Sequence, residues 1–349
     1  MNKSFSIGDR IIGDGQPAFI VAEIGLNHNG SIELAKKLIR KAKECGADAV
    51  KFQKRDLKSI YKPDIYQDPN KDSQGTAYLI DMVTRFELSE KKFIEIKKYC
   101  DKLDIIFFCT PWDIKSVDLL EKINVQLYKV ASADLTNIPL IKKLIQTKKP
   151  LIVSTGMAQE TEVDYTVKLL NDHKVTFALL HCVSAYPPAF KDINLNMIDV
   201  LKEKYPVPIG YSGHERGITV AICAVAKGAK IIEKHFTLDR SMEGSDHNIS
   251  LMPEGFAKMV DRIRMIELAL GDGKKTMVRG EMLYREILAK SLVAMKTIKK
   301  GQKISKNDIG IKSPGKGLSP QLIDSLIGKA ATRDIKKYDY FTHRDILHT

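Results

Sequence analysis

Apolar and polar positions follow two rhythms along this chain, and the rhythms take turns. Eight short runs are apolar and β-rich: "FIVAEIG" (19–25), "AVKFQ" (49–53), "IIFFCTP" (105–111), "LYKVAS" (127–132), "LIVSTG" (151–156), "FALLHCVS" (177–184), "PIGYSG" (208–213) and "IIEKHFT" (231–237). Near-continuous apolar character suits strands covered on both faces. Between the runs, segments such as "SIELAKKLIRKAKECG", "IPLIKKLIQTKK" and "ITVAICAVAKG" place apolar residues at i, i+3 and i+4 and often close on glycine. That is the signature of amphipathic helices with a C-terminal stop. Eight β-α units in about 250 residues predict a fold of the α/β class, a (β/α)8 TIM barrel. A doubly wound open sheet is the rival, but no G-x-G-x-x-G follows the first strand. A hairpin is expected ahead of the barrel around "IIGDGQP", where Asp14-Gly15 is a turn signal.

The last barrel helix, "PEGFAKMVDRIRMIELALG", ends near Gly271, so the barrel domain is placed at 1–272. The stretch beginning "GDGKKTMVRGE" reads as a linker over 273–287, and a small domain follows at 288–349. That domain repeats itself: "IKKGQKISKNDI" (298–309) and "IKKYDYFTHRDI" (335–346) share I-K-K-x-x-x-apolar-[ST]-x-x-D-I. Each copy carries a helix-start signal, Ser305 to Asp308 and Thr342 to Asp345. About 60 residues fold alone only marginally, which points to docking against a barrel, its own or a partner's.

Composition narrows the function. The 349 residues are 44% apolar yet hold no run long enough to cross a bilayer, and "MNKSFSIGDR" lacks the apolar core of a signal peptide. Five cysteines without C-x-x-C spacing read as reduced thiols. A soluble, cytoplasmic protein without a membrane partner is expected. The net charge of +13 raises the question of nucleic acid, but the lysines come in pairs, "AKKL", "EKKF", "IKKY" and "IKKL", mixed with acids on outer helix faces. A solvated surface, with attraction for small anions, is the reading; no nucleic-acid partner is expected.

In such a barrel the active site lies where the strands end. The polar residues there are Glu23, Asn27 and His28; Lys51 and Gln53; Thr110; Lys129 and Ser132; Ser154 and Thr155; Ser184 and Tyr186; Ser212 and His214; Glu233 and His235. The last two strands are neighbours, so His214 and His235 can approach each other. Together they read either as a general base with a hydrogen-bonded companion or as two ligands of a metal, with Glu23, Glu233 and Asp246 at hand. Two imidazoles with oxygen ligands suit an exchangeable Mn, Mg, Co or Fe ion better than a closed zinc site. His28, His181 and His247 compete for the same role, His181 reading as a core residue. Lys51 and Lys129 sit on strands otherwise buried on both faces, where an uncompensated cation is costly. With Ser132, Ser154, Thr155 and Ser212 they form a pocket for a phosphate and a carboxylate, or one of them is a Schiff-base lysine.

The ordered motifs "AEIGLNHNG", "GADAVKFQ", "YKVASADLTNIPL", "STGM", "HCVSAYPP", "GYSGHERG" and "EKHFTLDRSMEGSDHNISL" closely resemble those of the sialic acid synthases, or N-acetylneuraminate synthases. The resemblance extends into the tail, which is similar to the SAF domain, a relative of type III antifreeze protein. It implies condensation of phosphoenolpyruvate with the open-chain aldehyde of N-acetylmannosamine, releasing phosphate. It assigns His214 and His235 to a divalent metal, usually Mn2+, with Mg2+ or Co2+ as alternatives. Phosphoenolpyruvate falls to Lys51, Lys129, Ser132, Ser154 and Ser212, within a substrate-binding set that also takes in Asn27, Gln53, Thr110, Ser184 and Tyr186. The resemblance implies that Glu23 and Asp246 act around the metal, the sugar and a water; Glu233 on the last strand is expected as a third catalytic carboxylate. A domain-swapped homodimer is also implied, one tail covering the other chain's barrel mouth. Two departures stand out. Ser313 in "IKSPGKG" occupies a place where some members carry Arg, with Lys312 or Lys316 as substitutes, and residues 55–80 form a long connection that reads as a lid or as a surface excursion. Within the same chemistry, the alternatives are a legionaminate or pseudaminate synthase using a diacetamido-trideoxyhexose, or use of a 6-phosphorylated sugar. Outside it stand a Schiff-base aldolase and a non-enzymatic binder; the charged tail "KKGQKISKNDIGIKSPGK" argues against an ice-binding face.

Overall fold

Hydrophobic pairing begins with an antiparallel hairpin, β1 (Ser4–Ile7) and β2 (Arg10–Gly13), in a computed structural model that describes residues 3–71 and 75–345. Its turn falls at Gly8 and Asp9, between the partners Ile7 and Arg10. The Asp14-Gly15 signal is therefore corrected: it lies beyond β2, where the Asp14 N–H donates to the Lys3 carbonyl. Eight parallel strands follow, β3 (Phe19–Gly25), β4 (Ala49–Lys54), β5 (Ile106–Pro111), β6 (Tyr128–Val130), β7 (Leu151–Ser154), β8 (Phe177–Cys182), β9 (Ile209–Gly213) and β10 (Ile231–His235). They close in sequence order, β10 pairing with β3, so the TIM barrel is present and the open sheet is not.

The two-residue period sorts every strand between two cores. Ile20, Ala22 and Ile24 of β3 face outward and pack on the helices, as do Val50 and Phe52 of β4. The helix Ile32–Glu44 meets them with Ala35, Leu38, Ile39 and Ala42, one stripe at helical spacing. Ser31 caps this helix, accepting from the Leu34 N–H. Inside the barrel, Phe19, Val21, Ala49, Phe108, Leu127, Ile152, Ala178, Leu180 and Ile231 form a second core, sealed at its lower end by Ile7 and Ile12 of the hairpin. Each fully buried side chain of this size contributes about 1.5–3 kcal/mol. Gly210 completes the filling: a Cβ there would lie 2.5 Å from Leu180 Cδ2 and 2.6 Å from the Ile231 carbonyl oxygen. The next inward positions toward the upper end are polar, and there the site begins.

The long connection between β4 and β5 carries helices at Leu57–Ile60, Pro63–Gln67 and Thr76–Phe86, joined by short non-helical links; residues 72–74 lie outside the described set. Leu57, Met82, Val83 and Phe86 pack on Leu26 beyond β3, with Tyr61 and Tyr66 partly covered beside them. Arg85 also grips Glu243 in the loop after β10. A loose surface excursion does not make such contacts.

The chain divides into two compact units, 1–271 and 272–349. In the second, a helix spans Arg279–Leu288 where the sequence reads as a linker. The antiparallel pair β11 (Ser291–Ala294) and β12 (Ile309–Lys312) covers a core that includes Leu292, Ile298, Ile304, Leu318, Leu326, Ile335 and Phe341. The sequence repeat is a structural one. Ile298 and Ile335 exchange N–H to carbonyl bonds at 2.8 Å, and Asp308 and Asp345 accept from the Ser305 and Thr342 N–H groups at 2.9 and 2.7 Å.

Candidate active site

Above the inner core, the same inward register continues with Glu23, Lys51, Gln53, Thr110, Lys129, Ser154, Cys182, Ser212, Glu233 and His235, all lining one cavity. Ser132, Ser184, Tyr186 and His214 join from the loops beyond the strands, with Trp112 and Met157 at the wall, around about 470 Å³ of atom-free space.

The β3–β4 register sets Glu23 beside Lys51, and the ammonium lies 2.9 Å from Oε2. Lys51 also donates to Thr110 Oγ1 at 3.0 Å, while Gln53 Nε2 donates to Glu23 Oε1 at 2.7 Å. Across the barrel, Lys129 donates to the Val130 carbonyl and to Ser154 Oγ, and Ser212 donates to Glu233 Oε1 at 3.0 Å. Two buried ammoniums and two buried carboxylates thus share the floor. Burial pushes the Glu23 carboxyl above its ordinary range, though Lys51 opposes it. Glu233 is also buried, but Lys51 and Lys129 outweigh that cost and hold it below the carboxylate range. Burial depresses Lys129.

His214 and His235 face each other with ring centroids 5.4 Å apart at 52°. Nδ1 of His214 is engaged by the Val183 carbonyl at 2.9 Å, which orients the ring. Nδ1 of His235 is buried without a hydrogen-bond partner among the described residues, and the nearest carboxylate oxygen, Asp246 Oδ2, is 3.6 Å away. Burial drives His235 down to about 4, so its imidazole is neutral near pH 7. Among the described residues no group of three or more His, Cys, Asp or Glu is arranged around an ion. A closed four-ligand site is therefore not what these residues make. Two imidazoles at the ends of neighbouring strands, His235 neutral with an unused nitrogen and His214 oriented through its Nδ1, fit an open ion that would leave positions for substrate oxygens and water.

The competing histidines are engaged elsewhere. His28 stacks on Phe52 and accepts from the Gly30 N–H, His181 meets the Ile193 carbonyl at 2.7 Å, and His247 bridges Thr237 Oγ1 and Asn29 Oδ1. Asn27 needs correction as a substrate-binding residue. It does not line the cavity, and its amide donates to the Phe236 carbonyl and Ser250 Oγ, clamping the loop after β3 to β10. Thr155 turns away too, donating to the Leu180 carbonyl. Asp246 borders the site through His235. Sequence reasoning missed Cys182, which the inward series Ala178, Leu180 would have identified, and Trp112, one residue past the end of β5. Arg55 was missed as well: its guanidinium lies over the Trp112 ring at 4.3 Å and donates to Gln53 Oε1.

Comparison with known proteins shows the family. The NeuB family model matches residues 38–275, and the SAF domain model matches residues 289–346. The chain is 39% identical to the N,N'-diacetyllegionaminic acid synthase of Campylobacter jejuni over 323 residues, 91% of this chain and 97% of that protein. It is 36% identical to the N-acetylneuraminate-9-phosphate synthase of Homo sapiens, over 95% of this chain and 93% of the human protein. Among solved structures, the N-acetylneuraminic acid synthetase of Leptospira borgpetersenii superposes with a TM-score of 0.73 at 37% identity, covering 82% of this chain and 98% of that one.

Proposed function

The chain belongs to the NeuB family and is a sugar-acid synthase, and on that premise we propose that it condenses phosphoenolpyruvate with the open-chain aldehyde of N-acetylmannosamine to give N-acetylneuraminate and phosphate. The observation that carries the reading is one cavity holding both a serine-flanked pair of buried lysines and a facing pair of imidazoles.

Lys51 and Lys129, with Ser132, Ser154 and Ser212, take the phosphate and carboxylate of phosphoenolpyruvate and aim its C3 at the aldehyde carbon, largely a proximity contribution. His214 and His235 hold a divalent ion, Mn2+ in the first instance with Mg2+ or Co2+ as alternatives, which supplies Lewis-acid polarisation of the aldehyde oxygen. As C3 attacks, the former double bond leaves C2 cationic. Water adds at C2 after losing a proton, and the tetrahedral phosphohemiketal collapses by C–O cleavage to the keto acid and phosphate. Asp246, beside His235, receives the water's proton. Glu23, paired with Lys51, assists proton transfer to or from the sugar oxygen. Glu233 stays anionic and keeps the two ammoniums apart.

A second substrate reading, a 2,4-diacetamido-2,4,6-trideoxyhexose as for a legionaminate or pseudaminate synthase, is favoured by the apolar wall of Trp112 and Met157. A 6-phosphorylated sugar is the third. Phosphate release by metal-stripped protein separates them, assayed with each sugar in turn and with or without Mn2+. Metal-dependent release with N-acetylmannosamine is expected; release only with the trideoxy sugar or the 6-phosphate moves the assignment to that substrate. Silence with all three overturns the reaction itself.

We also propose a homodimer. Its support is the helix Arg279–Leu288, which exposes Met282, Leu283, Tyr284, Ile287 and Leu288, too much apolar surface to leave in water. At Ser313 the neighbouring cation is Lys290, whose ammonium donates to Ser313 Oγ at 2.6 Å, ahead of Lys312 or Lys316 as a replacement for the relatives' Arg.

A further inference from the structure

Lys234 lies between Glu233 and His235 on β10, and the alternation that sends those two into the cavity turns Lys234 outward. It is nevertheless 0% exposed, and its partner Glu215 is 1% exposed, with 2.9 Å between Nζ and Oε1. A buried ion pair is a poor device for stability, because desolvation offsets the attraction. Its position supplies a better reason for it.

Glu215 directly follows His214. Lys234 donates to the Glu215 backbone carbonyl at 2.6 Å as well as to the carboxylate, and the Tyr211 hydroxyl donates to Oε2 at 2.6 Å. Tyr211 belongs to β9, so the two strands that deliver the two histidines both close on this one residue. The pairing of β9 with β10 ends at Gly213 and Lys234, one residue short of His214 and His235. Beyond that point His235 is still paired with Glu23 of β3, but nothing in the β9–β10 ladder ties it to His214, and the Lys234–Glu215 contact is the link between the two. Gly213 is the local condition for it: a Cβ there would lie 2.6 Å from both Glu215 Oε2 and Tyr211 Cε1. Only glycine lets the carboxylate fold back.

We infer that Lys234, Glu215 and Tyr211 are positioning residues that set the separation of His214 and His235, and thereby the site's affinity for its divalent ion, without touching ion or substrate. The inference rests on the reading of the two histidines as the ion-holding pair, and the experiment keeps the two apart. The full chain is titrated with Mn2+ while the spectroscopic signal of the free ion is followed. Binding by the unaltered protein and its loss in His214→Ala test the histidine assignment. The double variant Glu215→Leu/Lys234→Met removes both charges together, leaves no unpaired buried ion and is expected to stay folded. It should bind Mn2+ about ten-fold more weakly or worse, the usual scale for losing support behind a metal ligand. Its kcat should fall while the KM for phosphoenolpyruvate holds, because the lysines that take that substrate stand on β4 and β6. Lys234→Arg, which keeps the cation, should recover most of the affinity. A folded double variant with unchanged Mn2+ affinity overturns the inference and leaves the histidine assignment standing. Unchanged binding in His214→Ala overturns both. Should the double variant fail to fold, Glu215→Gln keeps the shape and drops the charge: weaker Mn2+ binding supports the inference, and unchanged binding overturns it.

Discussion

Lys129 donates to two neutral oxygens, the Val130 carbonyl and Ser154 Oγ, while Lys51 is matched at contact distance by Glu23. Lys129, which shares Glu233's field but has no carboxylate at contact distance, is the cation poised for an anionic substrate. Lys129→Met should therefore raise the KM for phosphoenolpyruvate about ten-fold or more, as loss of a charge-assisted contact costs about 1.5–3 kcal/mol, and leave the sugar's KM nearly unchanged. Steady-state kinetics with each substrate varied in turn checks this; a rise confined to the sugar contradicts the pocket. His28 makes a different prediction, one about stability. Burial lowers its pKa to about 3, so it stays neutral in the fold while the unfolded chain takes up a proton below about pH 6.5. The unfolded state then binds more protons, and stability falls as pH drops from 6.5 toward 3, by about 1.4 kcal/mol per unit from this group. His28→Asn, which retains an acceptor for the Gly30 N–H, should flatten that slope in urea titrations between pH 6.5 and 5. These residues were legible because strand alternation and strand-end position name them. Asn27 was misread for the same reason: position at a strand end does not reveal where an amide finds its partners, here Phe236 and Ser250, over 200 residues away.

At the scale of elements, each barrel strand was visible in the sequence within a residue or two, because a strand buried on both faces leaves an apolar run that little else imitates. The hairpin turn was misplaced because two glycine-aspartate signals lie six residues apart, and only the pairing of Ile7 with Arg10 decides between them. The helix Arg279–Leu288 was hidden by the Gly, Lys and Arg ahead of it and by apolar positions with no core to face. Gly210 shows how tightly the strands are matched. Gly210→Ala inserts a methyl against Leu180 and Ile231, and should destabilise the protein by about 1–3 kcal/mol, the usual range for overpacking. Urea denaturation checks it; an unchanged midpoint would mean that β9 can shift.

The whole molecule combines a barrel, whose chemistry faces one end, with a small repeated domain carrying an exposed apolar helix. Its excess of positive charge is spread over helix faces, suiting a small anionic substrate better than a polymer. If the helix seals a dimer, Leu283→Lys/Ile287→Lys should convert it to monomers by light scattering while the barrel's circular dichroism stays the same. A dimer that persists in that variant must be held elsewhere.

In the proposed reaction the C–O bond of phosphoenolpyruvate breaks in the cavity of Lys51, Lys129, His214 and His235. Phosphoenolpyruvate labelled with oxygen-18 at the bridging position, turned over with the accepted sugar and Mn2+, tests it most directly. The label is expected to leave in the phosphate. Label retained in the keto-acid product, or product formed with no phosphate at all, would contradict it.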